Sequence, residues 1–138
     1  MSVIGVGVDV VEIARLRMAL ERTPGLLTRL FTEGERTACS GAAGRLRVPG
    51  LAARFAAKEA VAKALGTGIR GFSFIDIEVV TEESGRPTVV LHARAAQVAD
   101  RLGAGHVHVS LSTSADLAVA NAVLESSASR AGLDRCSG

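Results

Sequence analysis

Leu51-Ala52-Ala53-Arg54-Phe55-Ala56-Ala57-Lys58-Glu59-Ala60-Val61-Ala62-Lys63-Ala64-Leu65-Gly66 is the stretch on which the reading of this chain turns. Alanine, leucine, lysine and glutamate are strong helix formers, and Gly66 stands where a helix C-terminus favours glycine. The composition predicts a long helix over Leu51 to Leu65. The face carrying Phe55, Ala62 and Leu65 is expected to be buried, with Glu59 and Lys63 at its edge. These two charges lie one turn apart and are neighbours on the helix surface. An exposed pair of that kind is common and contributes about 0.3–0.5 kcal/mol. Lys58 reads in the same solvated way. The sharper alternative is that an acid and a base at the margin of a core point into a cleft.

Upstream, Gly5-Val6-Gly7-Val8-Asp9 lies in a continuous apolar run from Val3 to Val11. Length and valine content predict a buried strand. A dinucleotide-binding loop needs a third glycine and a helix opening on it, and here the apolar run simply continues. Gly5 and Gly7 instead allow close approach by another backbone or a ligand. Asp9 then either faces a cleft from a rigid strand or caps the helix that follows. Taken with Glu59 and Lys63, it supplies two oxygen ligands for a hard cation and one ammonium for phosphate.

The rest of the chain falls into short elements. Glu12 to Arg22 is predicted helical, with Ile13, Leu16 and Leu20 on one side. Thr23-Pro24-Gly25 breaks it, and Leu26 to Phe31 forms a second short helix. Thr32 and Glu35 make a capping-box pattern. Residues 38–50 are rich in Gly, Ala and Arg and read as a loop. Phe72 to Thr81 reads as a strand with a bulge at Phe74-Ile75, and Glu82-Glu83-Ser84-Gly85 turns it into a second strand, Pro87 to His92. A helix from Ala93 to Leu102 ends at Gly103. Two more strands, Val107 to Ser112 and Leu117 to Leu124, are joined by residues 113–116. Residues 126–138 lack periodicity and are expected to be a disordered tail. The order is α+β: one compact domain over residues 1–125, a mostly antiparallel sheet and a long central helix.

Composition excludes several classes. Of 138 residues four are Phe and none is Trp or Tyr, which argues against base-stacking platforms. The net charge of +2 is too small for a nucleic-acid coat. Cys39 and Cys136 have no zinc-type spacing and are expected to be free thiols. No apolar run approaches the ~20 residues of a membrane span. The first residues lack the pattern of a secretory leader, so a cytoplasmic protein without membrane or nucleic-acid partners is expected.

Two further groups are candidates. Strand alternation puts His106, His108, Ser110, Ser112 and Ser114 on one face and Val107, Val109 and Leu111 on the other. The polar face either binds phosphate or ribose or is simply solvated. Arg15 and Arg22 share a helix face, with Arg29 further on. They form either a solvated face or a docking site for an acidic partner.

These segments, in this order, resemble the holo-acyl-carrier-protein synthases, small 4′-phosphopantetheinyl transferases. The likeness rests on the strand from Ile4 to Glu12, on Phe31-Thr32-Glu33-Gly34-Glu35, on the helix from Leu51 to Gly66, on Asp76-Ile77-Glu78-Val79 with Gly85-Arg86-Pro87, and on His108-Val109-Ser110-Leu111-Ser112. It covers about residues 2–125. It implies transfer of 4′-phosphopantetheine from coenzyme A to a serine of apo acyl carrier protein in fatty-acid synthesis, releasing adenosine 3′,5′-bisphosphate. It implies that Asp9 and Glu59 bind Mg²⁺ and that Asp9, Glu59 and Lys63 are catalytic. Arg54, Lys63, His108, Ser110 and Ser112 would contact coenzyme A. Arg15, Arg22 and Arg29 would meet the acidic carrier protein. Either Glu59 or a water held by the metal would take the serine proton. A homotrimer with active sites between subunits is implied as well.

One departure stands out: the family closes its His-Val-Ser-Leu-Ser motif with a second histidine, and this chain has Thr113. Two other readings remain at this stage, a transferase serving polyketide or other secondary carrier proteins, and a coenzyme A or carrier-protein binding module without turnover. If the two carboxylates and the lysine suffice for the chemistry, Thr113→His is expected to raise transferase activity or leave it unchanged. A large loss in a steady-state assay would show that Thr113 has its own role.

Overall fold

The computed structural model describes residues 1–66 and 72–127. In chain order the elements are β1 (Val3–Glu12), α1 (Ile13–Arg22), α2 (Leu26–Leu30), α3 (Glu33–Ala38), α4 (Val48–Ala64), β2 (Ile77–Thr81), β3 (Pro87–Leu91), α5 (Ala93–Leu102), β4 (Ala104–Thr113) and β5 (Leu117–Ser126). One antiparallel sheet has the order β1-β5-β4, and β2 and β3 form a separate hairpin. The expected α+β layout is therefore present, with its strands divided between two sheets.

Alternation decides which side of the larger sheet is inner. Ala118, Ala120, Ala122 and Leu124 of β5 are buried, and they sit opposite Val11, Asp9, Gly7 and Gly5 of β1. Helix α4 lies on this inner face. It buries Ala56, Ala57, Ala60, Val61, Ala62 and Ala64 and is apolar almost all round, as suits the helix at the centre of a domain. A second cluster gathers Leu16, Phe31, Cys39 and Leu51 around the start of α4.

The two glycines of β1 explain how near helix and strand can come. A Cβ on Gly7 would run into the carbonyl oxygen of Ala60, and one on Gly5 into that of Ala64. The inner faces of β1 and α4 thus meet backbone to backbone, with only hydrogen and methyl groups between them.

Apart from β1, whose Val6, Val8 and Val10 are exposed on its outer face where a buried strand was expected, three expectations need correction. Helix α4 begins at Val48, with Pro49 in its first turn, rather than at Leu51. The preceding segment is pinned: Gly41 N–H donates to the Arg45 carbonyl at 2.7 Å and Arg47 N–H to that of Cys39 at 2.7 Å. Cys39 itself is buried, and burial pushes its thiol up. Second, the strand predicted from Phe72 starts only at Ile77. Phe74–Asp76 is a 3₁₀ turn capped by a Ser73–Asp76 box, which lets the Phe74 ring stack on Phe55 at 5.3 Å. Third, Lys58 is wholly buried, paired with Glu35 at 2.7 Å. The tail expected at 126–138 lies outside the described residues from 128 onward. Ser126 ends β5, and Ser127 N–H donates to the Gly103 carbonyl at 2.9 Å.

Gly7→Ala is expected to destabilise by about 1–3 kcal/mol or more, because neither backbone can retreat. Gly25→Ala is the control: Gly25 is right-handed helical with nothing within 4 Å of an added Cβ, so a change within about 0.5 kcal/mol is expected. Urea unfolding of both variants checks the contrast.

Candidate active site

Strand β1 and helix α4 each deliver one carboxylate to the same place. Asp9 lies on the inner face of β1, partly exposed, at the edge of a hollow. Glu59 projects from the flank of α4 toward Asp9. Lys63, one turn on, reaches across: its ammonium donates to the Val8 carbonyl at 3.0 Å and to Asp9 Oδ1 at 3.0 Å. The i,i+4 pair that the sequence suggested is thus joined by the strand acid, and Asp9, Glu59 and Lys63 meet.

The electrostatics are those of a site rather than a stabilising bridge. The Lys63 side chain is 51 % exposed, so its bond to Asp9 adds little to stability. The carboxyl of Glu59 is held above the usual carboxylate range. Partial burial is the main cause, and the nearby charge of Asp9 adds to it; Lys63 offsets part of the effect. Two acids brought together at such a cost suit a cation. Among the described residues no group of three or more His, Cys, Asp or Glu forms a metal cage. A two-carboxylate donor set fits Mg²⁺, which keeps several waters and takes substrate phosphates as ligands, and does not fit a structural zinc site.

Beside Asp9 opens a hollow of about 670 Å³, lined by Arg15 and by Leu16, Leu26, Phe55 and Phe74. Arg15 is therefore close to the carboxylate site. Arg22 and Arg29 are exposed, in the last turns of α1 and α2. Arg54 lies on α4, half-buried. It donates to the Gly50 carbonyl at 3.3 Å and to Thr81 Oγ1 at 3.2 Å, while its Nε has no partner.

His108, Ser110 and Ser112 stand elsewhere. They occupy the outer face of the sheet, where His108 faces Glu125 at 3.6 Å and lies tilted against His106 with ring centroids 4.3 Å apart. Within one chain the sheet separates them from Asp9, Glu59 and Lys63. His106 and His108 also border a hollow of about 410 Å³ that includes Arg86 and Pro87 of the β2–β3 hairpin. Thr113 is exposed at the end of β4, opposite Ala118.

Sequence reasoning missed a polar network behind the site. Glu35 completes the Thr32 capping box and receives Lys58 and the Val79 N–H. Thr32 Oγ1 also donates to Glu78 at 2.7 Å, and Glu78 meets His92 at 2.9 Å. These hydrogen bonds hold the Glu78 carboxyl below its usual range. The capping box was the one visible signal, since it placed Glu35 at a buried helix start.

The chain matches the 4′-phosphopantetheinyl transferase superfamily over residues 5–122. It is 51% identical over 128 residues to the holo-[acyl-carrier-protein] synthase of Moorella thermoacetica, covering 91% of this chain and 97% of that one. It is 52% identical over 125 residues to the enzyme of that name from Streptomyces avermitilis, covering 91% and 99%. Its fold is similar to the crystal structure of a holo-(acyl-carrier-protein) synthase from Bacillus anthracis in complex with CoA (3′,5′-ADP). There the TM-score is 0.72 and the identity 36%, covering 91% and 98%.

The raised proton affinity of Glu59 has a consequence for stability. An unfolded-chain glutamate titrates near about 4.3, so ionising Glu59 at higher pH favours unfolding. The stability tied to its neutral form is complete below that value and is lost as pH rises through the folded-state value. Glu59→Gln in chelator is expected to raise Tm by a few degrees at about pH 7, with the gain vanishing below about pH 4. Thermal melts across that range check it.

Proposed function

The chain belongs to the 4′-phosphopantetheinyl transferase superfamily, and on that premise we propose that it moves 4′-phosphopantetheine from coenzyme A to a serine of apo acyl carrier protein. The observation that carries this reading is the meeting of Asp9, Glu59 and Lys63 at one opening of the inner face. The serine oxygen attacks the β-phosphorus of coenzyme A and an O–P bond forms. The bond from that phosphorus to the bridging oxygen breaks. Adenosine 3′,5′-bisphosphate leaves with the electron pair, and the serine proton is released.

Asp9 and Glu59 would hold Mg²⁺, and when bound the ion would neutralise charge on the pyrophosphate oxygens. Lys63 sets a mobile ammonium beside that place, suited to charge that builds on the leaving phosphate. Glu59 would be one acceptor for the serine proton. Arg15, at the rim of the apolar hollow beside Asp9, would pair with acidic side chains of the carrier, with Arg22 and Arg29 extending that charge along α1 and α2. The protein works in the cytoplasm on this reading. No helix among the described residues is long and apolar enough to cross a membrane.

Coenzyme A would be shared between copies of the chain. On the outer face of β1, Val6, Val8 and Val10 are 67%, 53% and 55% exposed. They continue across Val119 and Val123 of β5 to His108, Ser110 and Ser112 of β4. An exposed apolar surface of that kind is suited to association. A homotrimer built on it would carry one subunit's His108, Ser110 and Ser112 toward another's Asp9, Glu59, Lys63 and Arg54.

Intact-mass spectrometry tests the reaction. Apo acyl carrier protein incubated with this protein, coenzyme A and Mg²⁺ is expected to gain the mass of one phosphopantetheine. Asp9→Ala and Glu59→Ala are each expected to slow that gain by about a hundredfold or more. Absence of any gain with coenzyme A still bound would favour a binding module.

A further inference from the structure

Lys58 adjoins Glu59 in the chain yet points away from it, into the layer behind α4. Its side chain and that of Glu35 are both 0% exposed. The ammonium has a full set of acceptors: Glu35 Oε1 at 2.7 Å, the Phe74 carbonyl at 3.0 Å and the Ile77 carbonyl. Glu35 is equally well met, by the Thr32 N–H at 2.9 Å and the Val79 N–H at 2.9 Å. One residue of α4 is thereby fastened to the start of α3, the 3₁₀ turn at Phe74 and the beginning of β2.

Toward the large sheet α4 is held less specifically. Against β1 the closest contacts are those of Ala60 and Ala64 with Gly7 and Gly5, and Ala120 and Ala122 of β5 belong to the same cluster. Small side chains permit close approach and supply no directional contact that fixes a helix along its axis. Hydrogen bonds to a buried charge do supply one. A buried polar group of this kind adds little net stability, and fixing register is its best-attested use. The active carboxylate and ammonium ride on the same helix: Lys63 must reach Val8 and Asp9 at 3.0 Å. A slip of one ångström would part them, and losses of about a hundredfold follow from misplacement on that scale.

We infer that the Lys58–Glu35 pair is a positioning device that fixes the register of α4, and so sets Glu59 and Lys63 against Asp9. Lys58 is a positioning residue, not a catalytic one. The inference rests on the proposed transferase reading for its kinetic part only.

The test removes both charges together. Lys58→Met with Glu35→Met leaves no buried charge unpaired, and Lys58→Arg keeps the charge while displacing the anchor. Each is compared with the unaltered protein by Tm, by kcat and KM for coenzyme A, and by Mn²⁺ affinity from electron paramagnetic resonance. In at least one folded variant, kcat is expected to fall tenfold or more and Mn²⁺ to bind at least severalfold more weakly, with Tm within a few degrees of the unaltered protein. Folded variants with unchanged kcat and unchanged Mn²⁺ affinity would overturn the inference. Failure of every variant to fold would also overturn it, because the pair would then hold the fold and not the site. If the unaltered protein transfers nothing to any carrier, the transferase reading fails, and Mn²⁺ affinity alone still decides the role of Lys58.

Discussion

The close approach of α4 to β1 governs the rest of this structure. Gly5 and Gly7 have no side chain, and the carbonyls of Ala60 and Ala64 occupy the space where one would be. That contact brings a strand and a helix near enough for short side chains to meet across them. Asp9 has a single methylene before its carboxylate, yet the ammonium of Lys63 reaches it while also binding the Val8 carbonyl. With bulkier residues at 5 and 7 the same three groups would be present and would not converge.

The helix answers to two partners at once. Toward the large sheet it offers alanines, and the contact is smooth and dry. Toward β2 and the 3₁₀ turn it offers Lys58, Arg54 and Phe55, and the contact is specific. Lys58 meets Glu35 and two carbonyls, Arg54 meets Thr81, and Phe55 stacks on Phe74. Desolvation pulls the proton affinity of Lys58 down, while the charge and hydrogen bond of Glu35 push it back up. The division is physically sensible: a smooth side lets the backbones close, and a directional side stops the helix from drifting along them. Glu59 and Lys63 sit at the boundary between these two sides.

The large sheet also separates two sets of polar groups. Its inner face carries Asp9 and receives α4. Its outer face carries His108, Ser110 and Ser112 beside a run of exposed valines. A strand turns alternate residues to opposite sides, so no bend in β4 could bring both sets into one cleft. On the proposed reading, association of copies through the valine face would let both sets act on one molecule of coenzyme A.

Much of the fold was legible because local chemistry specified it. Alanine-rich helix composition marked α4, Gly103 in the left-handed conformation ended α5, Thr32 and Glu35 formed their capping box, and alternation sorted the two faces of β4. That Glu59 and Lys63 are neighbours was legible too, since helical spacing alone makes them so. Three features were not. Phe74 left its strand pattern for a ring partner nineteen positions earlier in the chain, Phe55. Lys58 looked like any surface lysine, because a buried charge is recognised only by the acceptors around it, and Glu35, Phe74 and Ile77 come from separate segments. The meeting of Asp9 with Glu59 and Lys63 was suggested by resemblance and made by packing. The sequence by itself determined which residues could bear charge and which stretches would be helix or strand, because those depend on neighbours a few positions away. Tertiary structure alone decided which charges are buried, which are exposed and which converge, because each of those depends on the distance between segments brought together only by folding.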